Sequence, residues 1–186
     1  MNKAEILRYM RTSSKTTDEK ILALIDDTIE LVEGIAEPKT LYRIFDCTVT
    51  EDELIIDTIS FRSKRLCDNL RGCERVVVFG ATLGLGCDRL IKNAAATDIA
   101  KAMAVQCVAS AKIEEVCDEL EKRIRSEHGI SLRQRFSPGY YDLDITEQKK
   151  VFTLLELTKR IGLSLTDTME MLPTKSVTAF IGVDNG

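Results

Sequence analysis

The feature that most constrains this sequence is one long amphipathic segment, residues 99–125, whose periodicity predicts a single helix. Its apolar side chains recur along one face: Ala102, Val105, Ala109, Ile113, Val116, Leu120 and Ile124. Upstream, residues 75–80 carry a short apolar run, typical of a strand that is buried on both faces. Because helices and hairpins mix here without a steady β-α-β alternation, the sequence predicts an α+β fold rather than a doubly wound sheet.

Other helices are predicted from periodicity and from residues that cap helix ends. Residues 17–36 have apolar positions at helical spacing, and Thr17 or Asp18 can cap the start. A short helix over residues 3–10 is expected to form a separate N-terminal arm within residues 1–16. A further helix begins at Ser63 and ends at Gly72. Residues 1–186 are taken as one domain, since the length suits one and no linker is visible.

The strands are predicted to form two antiparallel hairpins. One pairs residues 41–49 with residues 54–61, and the other pairs residues 169–172 with residues 177–183. Between them, residues 147–161 are predicted to form one helix, with an inward face made of Val151, Leu154, Leu155 and Thr158.

Composition excludes several classes of function. The net charge is −4, and the basic residues are dispersed, which argues against a nucleic-acid surface. No apolar run approaches the length of a membrane span. Glu5 stands where a secretory signal would need an apolar core, so a cytoplasmic location is expected.

The cysteines and the single histidine do not form a metal-binding pattern. None of the six cysteines pairs as C-x-x-C, and the one histidine is isolated, so no zinc site and no other bound metal is expected. The thiols are expected to be reduced, small core residues. Cys67 and Cys73 are near enough in sequence to approach each other.

A glycine-rich stretch, residues 80–86, connects the apolar strand to a helix expected to begin near Cys87. Backbone N–H groups at such a place can bind an anion, which would suit a nucleotide-binding enzyme that uses Gly84 and Gly86. The stretch does not follow the G-x-G-x-x-G spacing, and no lysine follows its last glycine. A tight turn in which glycine permits close packing is therefore the favoured interpretation.

Residues 133–140 carry the strongest indication of a binding site. Residues 131–136 are expected to be extended, and their alternation would place Arg133 and Arg135 on one face. The chain then turns at 137–140, where a Pro-Gly pair lets the backbone approach a ligand. A guanidinium suits a carboxylate, and such a contact contributes about 1.5–3 kcal/mol. The alternative is an ordinary strand end with solvated arginines.

The run Arg135-Phe136-Ser137-Pro138-Gly139-Tyr140 resembles the R-x-x-P-G-Y motif in the activation (reactivation) domain of cobalamin-dependent methionine synthase. The resemblance continues through residues 165–173, which are similar to the family's L-T-E-S-x-x-M-x-P segment, and through residues 176–180. Residues 79–84 and 88–91 are similar to free-standing members of the family, in which the domain is a separate chain beside a shorter synthase.

The resemblance implies a curved domain with a central antiparallel sheet flanked by helices, and it implies S-adenosylmethionine binding in a shallow groove. The chain would act as an accessory reactivation partner of a cobalamin-dependent methionine synthase, supporting reductive methylation of cob(II)alamin. The partner would carry the cobalamin, and a flavodoxin-like or ferredoxin-like protein would donate the electron. His128 does not alter this, because Ser126 breaks the D-x-H-x-x-G pattern of a corrinoid carrier. His128 is therefore expected to be a surface residue at a helix end.

Residue roles are carried over from the family by position. Arg135 would hold the methionine carboxylate, Ser137 and Gly139 would offer backbone contacts, and Glu114 would lie near the ligand's polar groups. Tyr140 would lie near the corrin, at the face of methyl transfer.

The sequence departs from the family pattern in three places. The family's acidic ligand in the N-terminal part has no clear counterpart, with Asp46 and Asp57 as the only possibilities. Residues 141–144 replace a proline-containing run, and the family's C-terminal tail, with a tyrosine near the ligand, has no counterpart before Gly186. A non-catalytic docking or scaffold module for a corrinoid methyltransferase is therefore the alternative function.

Overall fold

The computed structural model describes residues 1–13 and 15–184. Sixteen helices and strands lie in these ranges, and a 3-10 turn, Ile145–Glu147, precedes the sixth helix. In chain order they are α1 Lys3–Tyr9, α2 Glu19–Ile35, β1 Lys39–Asp46, β2 Thr48–Val49, β3 Glu53–Ile56, β4 Ile59–Arg62, α3 Lys64–Asn69, β5 Arg75–Thr82, α4 Leu85–Ala95, α5 Ile99–His128, β6 Ser131–Leu132, α6 Gln148–Leu155, α7 Leu157–Ile161, β7 Ser164–Leu165, β8 Met171–Leu172 and β9 Ser176–Asp184.

The centre of the fold is a four-stranded antiparallel sheet in the order β1-β5-β9-β6. The two inner strands are apolar on both faces, because each face of the sheet is covered. Val78 lies opposite Phe180 in the register of β5 and β9, and both side chains are fully buried. The predicted α+β class and the central antiparallel sheet flanked by helices are confirmed.

Two hydrophobic cores lie on opposite faces of this sheet. On one face, α1, α2, α4 and α5 pack over Val77, Phe79 and Ile181. On the other face, the small sheet β2-β3-β4 packs with α3, α6 and α7 over Val78 and Phe180. The long helix α5 therefore presents its apolar stripe to the first core and leaves its flanks for polar side chains.

The caps of the helices follow the sequence closely. Asp18 accepts hydrogen bonds from the backbone N–H groups of Lys20 and Ile21 at the start of α2, and Ser63 accepts one from Leu66 at the start of α3. The predicted N-terminal helix is α1, but it is not a free arm, because Ile6 and Leu7 are buried against the first core.

The hairpin predicted from residues 41–49 and 54–61 is wrong. β1 pairs along its whole length with β5, and Ile59–Arg62 turns back on Glu53–Ile56 to form a shorter hairpin. Only Thr48–Val49 pairs with β3 as expected. The turn between β3 and β4 uses Asp57 at a φ of 52°, a left-handed conformation that aspartate tolerates.

The second predicted hairpin, around Pro173, is also wrong. Met171–Leu172 pairs with Ser164–Leu165, whereas Ser176–Asp184 enters the central sheet beside β5. The segment between β8 and β9 therefore carries the chain from a small edge ribbon into the middle of the molecule.

The single helix predicted over residues 147–161 is divided into α6 and α7 at Glu156, which has a φ of 52°. The break turns α7 so that Leu157 becomes fully buried, while Thr158, predicted to face inward, is exposed. Val151 and Leu155 are buried as predicted.

The glycine-rich stretch after β5 is a tight strand-to-helix turn. A Cβ added at Gly86 would lie 2.5 Å from the carbonyl oxygen of Ile35, so α4 can approach the end of α2 only without a side chain there. Gly84 has a φ of 77° and provides no side-chain cap to α4.

Candidate functional site

A β-bulge positions the arginines of residues 133–136. Arg133 donates its backbone N–H to Gly182, at 3.0 Å, and Phe136 donates to Phe180, at 2.9 Å. The acceptors are two residues apart, whereas the donors are three apart, so one extra residue lies on this strand. Arg133 and Arg135 consequently point to different sides, and the prediction that they share one face is wrong.

Arg133 joins the strand to the end of α3. Its Nε donates to Asp184 at 2.6 Å, and its Nη1 donates to the carbonyl oxygens of Asn69 and Arg71 at 2.7 and 2.9 Å. These carbonyl groups follow the last turn of α3 and have no helical N–H partner ahead of them. Arg133 therefore has a structural role beside the site, because it links this strand to the end of α3.

Arg135 lies against three carboxylates on one face of α5. Its Nη1 contacts Asp118 at 2.7 Å and Glu121 at 2.6 Å, and its Nη2 contacts Glu114 at 2.5 Å. The acidic residues are spaced four and three positions apart, which places them on adjacent turns of the helix. Arg125 also contacts Glu121, at 3.1 Å, so two cations face three anions and the five residues together carry a formal charge of −1.

Arg135 is positively charged in this environment. Burial alone would lower the pKa of the guanidinium, but the hydrogen bonds to Asp118, Glu121 and Glu114 outweigh it and raise the pKa. Its side chain is 24% exposed, and that of Glu121 is 10% exposed. Water therefore screens the pair of Arg135 and Glu121 only weakly.

The Pro-Gly turn follows the bulge immediately. Tyr140 donates its backbone N–H to Ser137 at 3.3 Å, and Gly139 donates to Leu143 at 2.8 Å. Gly139 has a φ of 89°, which any other residue would adopt only at a cost, and a Cβ there would lie 3.0 Å from Ile145. Gly139 thus allows the turn that places Ser137 and Tyr140 on the same groove.

Asp142, within the run that departs from the family pattern, anchors the turn to α3. It accepts hydrogen bonds from the Ser63 hydroxyl at 2.5 Å and from the Lys64 backbone at 2.8 Å. The Ser63 hydroxyl and the backbone N–H groups at the helix start lower the pKa of the Asp142 carboxyl.

A groove of about 1070 Å³ runs between α5, the turn and the start of β9. Glu114, Arg135, Ser137 and Tyr140 line it, and Gly139 shapes the turn behind it. The structure therefore brings Glu114, Arg135, Ser137 and Tyr140 to one surface from α5 and from a loop beyond it, whereas Gly139 does not line the groove.

Two ionisable residues that line the groove, Tyr9 and Lys175, were missed by the sequence analysis. Tyr9 reaches the groove from α1, and burial, followed by the negative charges of Glu114 and Glu5, raises its pKa. Lys175 is 7% exposed, and its Nζ donates to the Ser110 hydroxyl at 2.9 Å. Lys175 directly precedes residues 176–180, whose sequence resembles that of the family, and this position could have indicated it. Nothing in the sequence connects Tyr9 to the groove.

The groove has an apolar rim of exposed side chains, formed by Tyr140, Tyr141 and Ile145. Tyr140 is 65% exposed and Tyr141 is 84% exposed. Exposed aromatic side chains that cluster around a polar groove are typical of a surface that contacts another molecule.

Other centres of reactivity are not found in the part of the chain that the structure describes. No group of three metal-binding side chains lies together there, and no described helix is long and apolar enough to cross a membrane. All six cysteines are free. Burial raises the pKa of Cys47 and Cys67 to about 11 and that of Cys117 to about 12, which leaves these thiols unreactive near neutral pH.

His128 is exposed at the end of α5, before a left-handed Gly129, as predicted. Its Nε2 lies 2.9 Å from the hydroxyl of Tyr42, away from the residues that line the groove.

The protein is therefore an α+β domain with a central antiparallel sheet and a charged groove beside a Pro-Gly turn. Comparison with known families is specific: the model described as "Vitamin B12 dependent methionine synthase, activation domain" matches residues 65–185. The chain belongs to this family of activation domains.

A solved structure supports the fold. The chain is similar to the protein in "Crystal Structure of the MetH Reactivation Domain bound to AdoHcy", with a TM-score of 0.69 and 19% sequence identity. The similarity covers 88% of this chain but only 65% of the other, so this chain spans about two thirds of its length. No curated protein matches the sequence.

Proposed function

We propose that this chain binds S-adenosylmethionine in the groove and acts as a separate reactivation partner of a cobalamin-dependent methionine synthase. The observation that carries the proposal is the cluster of Arg135 with Glu114, Asp118 and Glu121 on the wall of a groove, in a chain of the activation-domain family. The structural relative was solved with AdoHcy, the demethylated form of the same ligand.

The charge and the size of the groove fit this ligand. S-adenosylmethionine carries a positive sulfonium centre and a zwitterionic amino-acid end, and the cluster of Arg135 and Arg125 with Glu114, Asp118 and Glu121 has a surplus of one negative charge. Pockets for small ligands measure roughly 300–1,000 Å³, and a groove of about 1070 Å³ accommodates a nucleoside with an amino-acid arm. The bound ligand would supply the methyl group, and the chain would supply position and electrostatic stabilisation.

The predicted residues have distinct roles in this proposal. Glu114 faces the ligand's positively charged groups, and Ser137 and Gly139 offer backbone contacts at the turn. For Arg135 to hold the ligand's carboxylate directly, one of its present partners would have to give way. Asp118, 57% exposed, is the partner that water screens most.

The apolar rim suits the docking of a partner. Tyr140 and Tyr141 present exposed aromatic rings at the groove, which suit contact with a planar macrocycle while the ligand lies beneath. The partner would carry the cobalamin, and a flavodoxin-like or ferredoxin-like protein would deliver the electron. In this arrangement the chain holds no metal and needs no acid-base residue of its own.

Calorimetric titration of the purified chain with S-adenosylmethionine tests the proposal. We expect saturable one-to-one binding that weakens about tenfold or more in an Arg135→Ala variant, as the loss of a charge-assisted contact implies. Lys92→Met, which alters an exposed lysine on α4, serves as the matched control and should leave the affinity unchanged.

Absence of binding at millimolar ligand, alone and with a corrinoid synthase present, would contradict the proposal. Binding to the synthase without ligand would then favour the docking or scaffold module, because the apolar rim does not depend on the charges inside the groove.

A further inference from the structure

Tyr141 is an exposed aromatic residue in a backbone conformation that tyrosine rarely adopts. Its φ is 52°, in the left-handed region, and its side chain is 84% exposed. Leu143 donates its backbone N–H to Tyr140 at 3.1 Å, which makes Tyr141 the second residue of a β-turn. Turns with a positive φ at this position generally carry glycine, asparagine or aspartate, because a larger side chain there is strained. Tyrosine therefore lowers the stability of the turn, and burial of its ring does not offset that loss.

The turn is held in this conformation by the two residues that follow Tyr141. Asp142 accepts hydrogen bonds from the Ser63 hydroxyl, at 2.5 Å, and from two backbone N–H groups at the start of α3, at 2.8 and 3.3 Å. Leu143 is 1% exposed and packs in the second core. Strained residues persist where the surrounding structure over-determines them, and they concentrate at functional sites. The exposed ring of Tyr141 is thus fixed before any partner binds.

Two neighbours orient the ring of Tyr141. The ring of Phe136 lies at a centroid distance of 5.9 Å, and the guanidinium of Arg65 lies 5.8 Å from the centroid of Tyr141. Among the residues that the structure describes, Arg65 has no carboxylate within 4 Å of its side chain, whereas the nearby Arg62 and Lys64 both contact carboxylates. Tyr141 and Arg65 therefore present an aromatic face beside a cation.

This combination of side chains is typical of a protein–protein contact. Tyrosine and arginine are among the residue types that contribute most to binding at such interfaces. A rigid ring that is already held in place loses little conformational entropy when it binds. A guanidinium without a carboxylate of its own favours a partner surface that supplies one. The pair therefore suits an apolar pocket on a protein surface with a carboxylate at its border.

We infer that Tyr141 and Arg65 together bind the protein surface of the corrinoid partner, beside the place where its macrocycle would meet Tyr140. This inference rests on the proposed function, since the partner is the same. Tyr141 belongs to residues 141–144, the run that departs from the family pattern. The contact would therefore select the partner of this chain over the partners of its relatives.

Titration of variants against a synthase tests the inference. The probe is a cobalamin-dependent methionine synthase from the same genome that lacks an activation domain of its own, and no S-adenosylmethionine is added. We expect Tyr141→Gly and Arg65→Gln each to weaken binding to the synthase about tenfold or more, as the loss of a dominant interface residue implies. Glycine adopts the left-handed conformation freely, so Tyr141→Gly should not lower the urea midpoint.

Glu156→Gly is the matched control. Glu156 is also an exposed residue with a φ of 52°, but it does not line the groove, so its substitution relieves the same kind of strain away from the rim. This variant should bind the synthase as the parent chain does. Raising the salt concentration should weaken binding by the parent chain more than binding by Arg65→Gln, because salt screens the attraction between the guanidinium and a carboxylate.

The outcomes are distinct. Unchanged synthase binding in Tyr141→Gly, or an equal loss in Glu156→Gly, would overturn the inference, and an equal salt dependence of the parent chain and Arg65→Gln would overturn the role of Arg65. A parent chain that binds S-adenosylmethionine but not the synthase would overturn the inference alone, whereas one that binds neither would overturn the proposed function as well. If the ring instead joined two copies of this chain, the parent would sediment as a dimer and Tyr141→Gly as a monomer, which would also overturn it.

Discussion

The cluster on α5 makes a prediction about stability that needs no ligand. Arg135→Ala would leave Glu114, Asp118 and Glu121 together on one helix face without their common partner. Breaking a fully buried ion pair in this way costs about 3–5 kcal/mol. Here Glu121 is 10% exposed but keeps a contact with Arg125 at 3.1 Å, and Asp118 can turn into water. We therefore expect a loss of about 2–3 kcal/mol in the free energy of unfolding.

Urea denaturation followed by circular dichroism measures this loss. With a denaturant slope of about 2 kcal/mol per molar, the midpoint should fall by about 1–1.5 M. Because part of the loss is repulsion between carboxylates, 1 M salt should reduce it, since the screening length there is about 3 Å.

Arg125→Ala is the matched control. Arg125 also contacts Glu121, but its side chain is 39% exposed, so its loss should cost about 1 kcal/mol or less. If the two variants unfolded at the same midpoint, the reasoning that Arg135 neutralises the cluster would be refuted.

Three further predictions concern the turn, the rim and the helix break. Tyr140→Phe should leave the affinity for S-adenosylmethionine unchanged but alter the rate of reactivation with a partner synthase; a loss of affinity would place the hydroxyl against the ligand instead. Asp142→Asn should lower stability by about 1 kcal/mol at neutral pH. Because the pKa of Asp142 is lowered in the fold, this difference should be fully present above the ordinary aspartate pKa of about 3.9 and should be lost as the pH falls through the lower pKa of the folded state, which urea midpoints at several pH values would measure. Glu156→Gly should raise the urea midpoint, since a left-handed non-glycine residue costs about 1 kcal/mol and the exposed contact with Arg160 contributes less; an unchanged or lower midpoint would contradict this.

Features that depend only on neighbouring residues could be predicted from the sequence. The starts of α2 and α3 follow from Asp18 and Ser63, because a cap needs only the N–H groups two or three residues away. The length of α5 follows from its apolar stripe. The motif at residues 135–140 led to the family, since its arginine, proline, glycine and tyrosine form one continuous run.

The pairing of the strands depends on contacts between segments that are distant in sequence. Residues 39–46 and 53–62 are neighbours in sequence, but the first joins β5, because the centre of the sheet offers a longer ladder with apolar contacts on both faces. Strand pairing is a competition among distant partners, and periodicity within one segment does not rank them.

The candidate site shows the same division. The sequence identified Arg135, Ser137 and Tyr140 but placed Arg133 on the same face, because strict alternation does not register the extra residue of a bulge. The partners of Arg135 on α5 and the burial of Lys175 arise where segments distant in sequence meet. Local composition determined the elements and the motif, whereas the charges that each functional side chain contacts were set by packing between elements, which no local pattern encodes.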